Sequence, residues 1–186
     1  TNMNMFPGEH YRMLVGIINS ENFKKFIEIG TGSGIASKAI LNKTNADINT
    51  FDIIPWSENN SHLTKVEFSN NRLTQIVEDL SNQQAFKKYS ELIANSDLIL
   101  LDVILPDING LELLKTFRKE HSSESLPVIM VSAFNDVDSI SKCIQLGAQD
   151  YLPKPINGTI LLAKVVAALE RKFWREREKE LVDKLH

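Results

Sequence analysis

Four consecutive apolar residues with an acid at each end, Asp97-Leu98-Ile99-Leu100-Leu101-Asp102, constrain this chain more than any other stretch. A run this short and this uniformly apolar reads as a strand buried on both faces, as strands of a parallel sheet are. In open α/β sheets ligands bind beyond the carboxyl ends of the strands. Asp102 therefore stands where chemistry is expected. Further strands are predicted over 26–29, 48–54, 73–77, 127–131 and 150–152. Helical spacing fills the gaps at 9–19, 35–41, 82–94, 111–120, 136–146 and from 156 onward. Residues 57–72 are polar, and a helix through 62–68 is one reading of them. Strand–helix alternation of this kind predicts an α/β fold with a parallel sheet and right-handed crossovers.

Composition narrows the function classes. A chain of 186 residues is long enough for one α/β domain with a real core. Its net charge of −3 is too small to draw nucleic acid or a membrane by bulk attraction. No apolar run approaches the roughly 20 residues of a bilayer span, and no basic segment followed by an apolar one opens the chain. A cytoplasmic location is expected. The single cysteine, Cys143, rules out a disulfide framework and a cysteine zinc site. His10, His62, His121 and His186 are scattered through polar contexts and read as surface residues. Residues 1–95 carry thirteen asparagines and residues 96–186 only three, which suggests two segments of different origin.

Two groups of residues carry chemistry. The first is Gly30-Thr31-Gly32-Ser33-Gly34, between a strand and a helix. Glycines allow a tight turn and close backbone approach, and a helix N-terminus offers free N–H groups to a polar ligand. Asp52, about 20 residues on, could accept ribose hydroxyls. Asp79 ends the next strand, where a carboxylate could take an adenine amino group. Phe26-Ile-Glu-Ile-Gly-Thr-Gly-Ser-Gly34 resembles the first motif of class I S-adenosylmethionine-dependent methyltransferases, and the similarity covers about residues 8–102. It implies cofactor contacts from Glu28, the five loop residues, Asp52, Asp79 and Leu80. A dinucleotide-binding dehydrogenase would want a glycine where Ile35 stands.

The second group begins at Asp102. The pieces Asp97–Gly110, Pro127–Ala133, Gly147–Tyr151 and Lys154-Pro155 resemble a response-regulator receiver domain, over about 97–170. That resemblance implies Asp102 as phospho-acceptor, Lys154 and Ser132 as phosphoryl contacts, Tyr151 as a switch aromatic and a histidine kinase as partner. Lys154-Pro155 is a candidate cis bond. The family carries two adjacent acids at the end of its first strand to hold Mg²⁺. Here Gly30-Thr31 takes their place, so Asp102 alone is left as a metal ligand.

Together the two resemblances predict a chimera on one Rossmann-like or flavodoxin-like three-layer sheet of six strands, in the order 3-2-1-4-5-6. Residues 1–96 would be the methyltransferase-like half, 97–170 the receiver-like half and 171–186 a charged helical extension, all in one domain. The expected function is an engineered scaffold that binds S-adenosylmethionine or S-adenosylhomocysteine as a small nucleoside ligand, without turnover. The alternative is a phospho-acceptor module; an active methyltransferase comes third, because no acceptor site is identifiable. Self-association is expected to go no further than a weak dimer through the last helix.

Overall fold

The computed structural model describes residues 24–69, 71–134 and 136–184. The helix expected over 9–19 lies outside them, as do His10 and His186. Among the described residues six strands form one parallel sheet: β1 (Lys25–Ile29), β2 (Asp47–Asp52), β3 (Leu73–Val77), β4 (Leu98–Asp102), β5 (Val128–Ser132) and β6 (Asp150–Pro153). Their order is β3-β2-β1-β4-β5-β6, as the sequence predicted. The helices are α1 (Ile35–Lys43), α2 (Lys65–Phe68), α3 (Gln83–Ala94), α4 (Gly110–Glu120), α5 (Val137–Gln145) and α6 (Gly158–Asp183).

The alternation of side chains along each strand divides the core in two. Leu98 and Leu100 of β4 face a cluster with Ile40 of α1 and Leu161, Val165 and Leu169 of α6. Ile99 and Leu101 face the other way, against Ile93 of α3 and Leu113, Leu114 and Phe117 of α4. All four β4 residues are at most 1% exposed. At about 25 cal/mol per Å² of apolar surface, each contributes roughly 1.5–3 kcal/mol. This double burial is why the strand is uniformly apolar.

Side-chain caps start most of the long helices. Asn82, Asn109, Asp136 and Asn157 accept backbone N–H groups from the first turns of α3, α4, α5 and α6; such a cap is worth about 1 kcal/mol. α1 starts differently, on Gly34 in the left-handed region with no side-chain cap. The helix read through 62–68 shrinks to α2, because Thr64 and Glu67 form a capping box and fix its start.

The two acids that bracket β4 do different work. At the lower end, Asp97 Oδ2 accepts the backbone N–H groups of Lys24 and Lys25 at 2.7 and 2.8 Å. Its Oδ1 faces Lys172 Nζ of α6 at 3.6 Å, and that ammonium also donates to Ser96 O at 3.3 Å. Asp97 thus ties β1, β4 and α6 together. Beyond Phe173, α6 is mostly exposed through Asp183.

Candidate functional site around Asp102

Asp102 ends β4 opposite Val131 of β5. It lies on the same side of the sheet as Leu98 and Leu100, one strand away from the end of β1. Its Oδ1 accepts the N–H of Ile104 at 3.0 Å. Its Oδ2 is paired with Lys154 Nζ, from a residue 52 positions later. Asp102 is 8% exposed, while the Lys154 side chain is 40% exposed, so the pair reaches from the buried strand end to solvent. Lys154 is placed by its own backbone, whose N–H donates to Ser132 O at 2.7 Å. The Lys154-Pro155 bond is cis, as the sequence suggested.

Asp102 and Lys154 share a small cavity with Glu28, Gly30, Thr31 and Ser33. Its volume is about 30 Å³, room for a water. Ser132 stands one residue past Val131 and is not among the lining residues. Its Oγ accepts Phe134 N–H at 3.1 Å, which leaves the hydroxyl proton free to donate. Tyr151 is buried in the core on the α3–α5 side, its hydroxyl without a partner among the described residues.

The residues expected to hold a nucleoside are occupied with holding the protein. Asp52 accepts Gly32 N–H at 3.0 Å and Ile54 N–H at 3.1 Å, which braces the glycine loop at the end of β2. Asp79 accepts Ser81 N–H at 2.8 Å; the bonds from Ser81 hold its carboxyl below the usual range. Leu80 is core, 4% exposed. Glu28 lies under the first turn of α1 and accepts the Ser37 hydroxyl. Burial raises its pKa from 4.5 to about 7, against the pull of bonds from Ser37 and Thr50 and of the Lys154 charge. The Thr31 hydroxyl meets that of Thr50 at 2.6 Å. Gly34 has no room for a side chain, since a Cβ would stand 2.4 Å from Leu63 Cγ. On the other side of Gly30 a crevice lined by Asp52, Glu78, Leu80 and Asp107 has a volume of about 10 Å³. Small-molecule sites run to roughly 300–1,000 Å³.

Three features escaped the sequence. Gly110 lies so close to β4 that a Cβ there would stand 2.0 Å from Asp102 O; its place at the head of a helix, after Asn109, reads only as a turn. Gly30 similarly abuts the Asp102 side chain. Asp107 lines the crevice beyond Gly30, and its carboxyl is raised first by burial and then by the neighbouring Asp79; no local pattern marks the pairing. Among the described residues no three His, Cys, Asp or Glu side chains converge as a metal site would require, and no helix is long and apolar enough to cross a membrane.

The family model of the response regulator receiver domain matches residues 58–166, more than half the chain. The transcriptional regulatory protein CpxR of Escherichia coli (strain K12) is 36% identical over 116 residues, covering 57% of this chain and 48% of the relative. The regulator CusR of the same strain is 33% identical over 95 residues, covering 51% and 41%. The chain therefore spans about half the length or less of these relatives. The crystal structure of DrrB, a Thermotoga maritima OmpR/PhoB homologue, superposes with a TM-score of 0.52 at 22% identity, over 81% of this chain and 54% of that one. At that identity it speaks for the fold.

These matches correct the expected chimera. The receiver match begins at residue 58, well inside the half read as methyltransferase-like, and takes in β3 and α3. The engineered scaffold binding S-adenosylmethionine or S-adenosylhomocysteine is set aside with it. The glycine loop misled because a tight strand-to-helix turn needs glycines whether or not a ligand follows. The acids misled because any carboxylate at a strand end resembles a ribose ligand until its partners are known. The strand ending in Asp102, with Lys154 brought to its side, sits in a chain that belongs to the response regulator receiver domain family.

Proposed function

We propose that this chain is a phospho-acceptor module of two-component signalling, with Asp102 taking a phosphoryl group from a histidine kinase in the cytoplasm. One observation carries the reading: Asp102 and Lys154, far apart in sequence, meet as an ion pair at the carboxyl end of the central strand. In the transfer, a carboxylate oxygen of Asp102 attacks the phosphorus of a phosphohistidine. The P–N bond breaks, its electron pair passes to the imidazole nitrogen, and an acyl phosphate forms. Such a transition state is stabilised chiefly by placing charge and donors around the phosphoryl oxygens. Lys154 supplies the positive charge, and Ser132 supplies a hydroxyl proton from the tip of the adjacent strand.

The relatives are longer than this chain, and a partner segment that reads the phosphorylated state belongs to the proposal. The test is phosphate-affinity gel mobility after incubation with acetyl phosphate and Mg²⁺. A retarded band that disappears in Asp102→Asn supports the assignment. An unshifted band, or one that persists in Asp102→Asn, overturns it.

A further inference from the structure

Receiver domains typically use Mg²⁺ at the phosphorylation site, and the residues around Asp102 do not fit that ion. We infer that Lys154 is the resident cation of this site and that phosphoryl acceptance at Asp102 proceeds without a divalent metal. The inference rests on Asp102 being the phospho-acceptor.

The argument begins with space. The end of β1 is where a second acid would have to stand to share a cation with Asp102. Gly30 occupies it with φ +91°, a conformation that side chains rarely adopt. A Cβ there would stand 2.8 Å from Asp102 Cβ and 2.8 Å from Leu105 Cδ2. An acid at this position would be strained in its backbone and crowded against the Asp102 side chain. Thr31 follows, 3% exposed, with its hydroxyl turned to Thr50.

Next come the other acids. Glu28 lines the cavity, but its carboxyl accepts the Ser37 hydroxyl, and burial favours its protonated form. Asp52 has given both oxygens to backbone N–H groups. Asp79 is bound to Ser81, and Asp107 lines the crevice beyond Gly30, outside this cavity. Mg²⁺ demands near-ideal octahedral oxygen coordination and gives up its waters reluctantly. One carboxylate, with one oxygen already on Ile104 N–H and the other on an ammonium, is a poor start for it. The ammonium itself repels a second cation at that distance. Lys154 already provides there the charge neutralisation that phosphoryl transfer needs.

The test repeats the gel assay with acetyl phosphate, once with Mg²⁺ and once with EDTA. In each case Asp102 Oδ attacks phosphorus and acetate leaves with the electrons of the broken P–O bond. The expected extents agree within about twofold, and chelation that lowers phosphorylation more than about tenfold overturns the inference. Lys154→Gln should lose phosphorylation under both conditions, because the site loses its positive charge; an unchanged circular dichroism spectrum shows that the variant, altered at a side chain 40% exposed, still folds. Labelling that survives in this variant overturns the role of Lys154. Binding is read separately, from the electron paramagnetic resonance of Mn²⁺ titrated with the chain. An unchanged free-ion signal is expected; saturable loss of signal that Asp102→Asn abolishes overturns the claim. If no condition labels Asp102, the phospho-acceptor assignment falls and takes the inference with it.

Discussion

Glu28→Gln should make this protein more stable, and by an amount that depends on pH. Glu28 is 6% exposed, and burial raises its carboxyl from 4.5 to about 7 in the folded protein. The folded state therefore binds this proton more tightly than the unfolded chain. Where folded Glu28 is protonated and unfolded Glu28 is not, stability falls as pH rises, by up to about 1.4 kcal/mol per pH unit. That window runs from 4.5 to about 7. Across it the loss sums to roughly 3 kcal/mol. The penalty is absent below the window and fully present above it. Glutamine carries no charge and keeps an oxygen for the Ser37 hydroxyl, so it removes the penalty at the expense of one amide that needs partners, about 1 kcal/mol.

The assay is urea unfolding followed by the fluorescence of Trp56 and Trp174. At about pH 5 the two proteins should agree within roughly 1 kcal/mol, and at about pH 8 the variant should lead by ~2–3 kcal/mol, with unchanged m-values. Every other ionisable group is common to both proteins and cancels in the difference. A stability difference that is flat across this range would refute the reasoning, because it would mean Glu28 does not titrate between the two states.

Three further substitutions probe the frame. Gly110→Ala puts a methyl group 2.0 Å from Asp102 O and 3.0 Å from Val103 Cα, both backbone, and should cost ~1–3 kcal/mol in urea unfolding while lowering the extent of acetyl phosphate labelling. Leu100→Ala, at 1% exposure in the central strand, should cost ~2–5 kcal/mol by the same measurement. Lys172→Met leaves Asp97 with only its bonds to the N–H groups of Lys24 and Lys25 and should cost ~1–3 kcal/mol, without altering labelling at the opposite end of β4.

Much of the fold was legible. The runs that became β4 and β5 stand out because strands buried on both faces are almost wholly apolar, whereas β2 and β3, toward the sheet edge, keep polar positions. The strand order was expected from the two family resemblances joined at the strand that ends in Asp102, and the sheet has that order although the chimera does not hold. Residues 57–72 resisted, since α2 is a single turn held by its capping box and has no periodicity to detect. The site was half legible. Asp102 and Lys154 were identified by motif, and they do meet. Glu28, Asp52 and Asp79 were identified by the same kind of motif, and each turned out to be bound to hydroxyls or N–H groups of its own fold.

From the sequence alone came the alternation of strands and helices, the turns, and the aspartate at the tip of the buried strand. These are local or periodic properties, set by side-chain polarity and backbone freedom over a few residues. Only the tertiary structure decided which carboxylates are free to do chemistry. A carboxylate's role depends on the donors that surround it and on the room beside it, and both come from other elements of the fold: Ser37 against Glu28, Lys154 against Asp102, and Gly30 crowded against the Asp102 side chain.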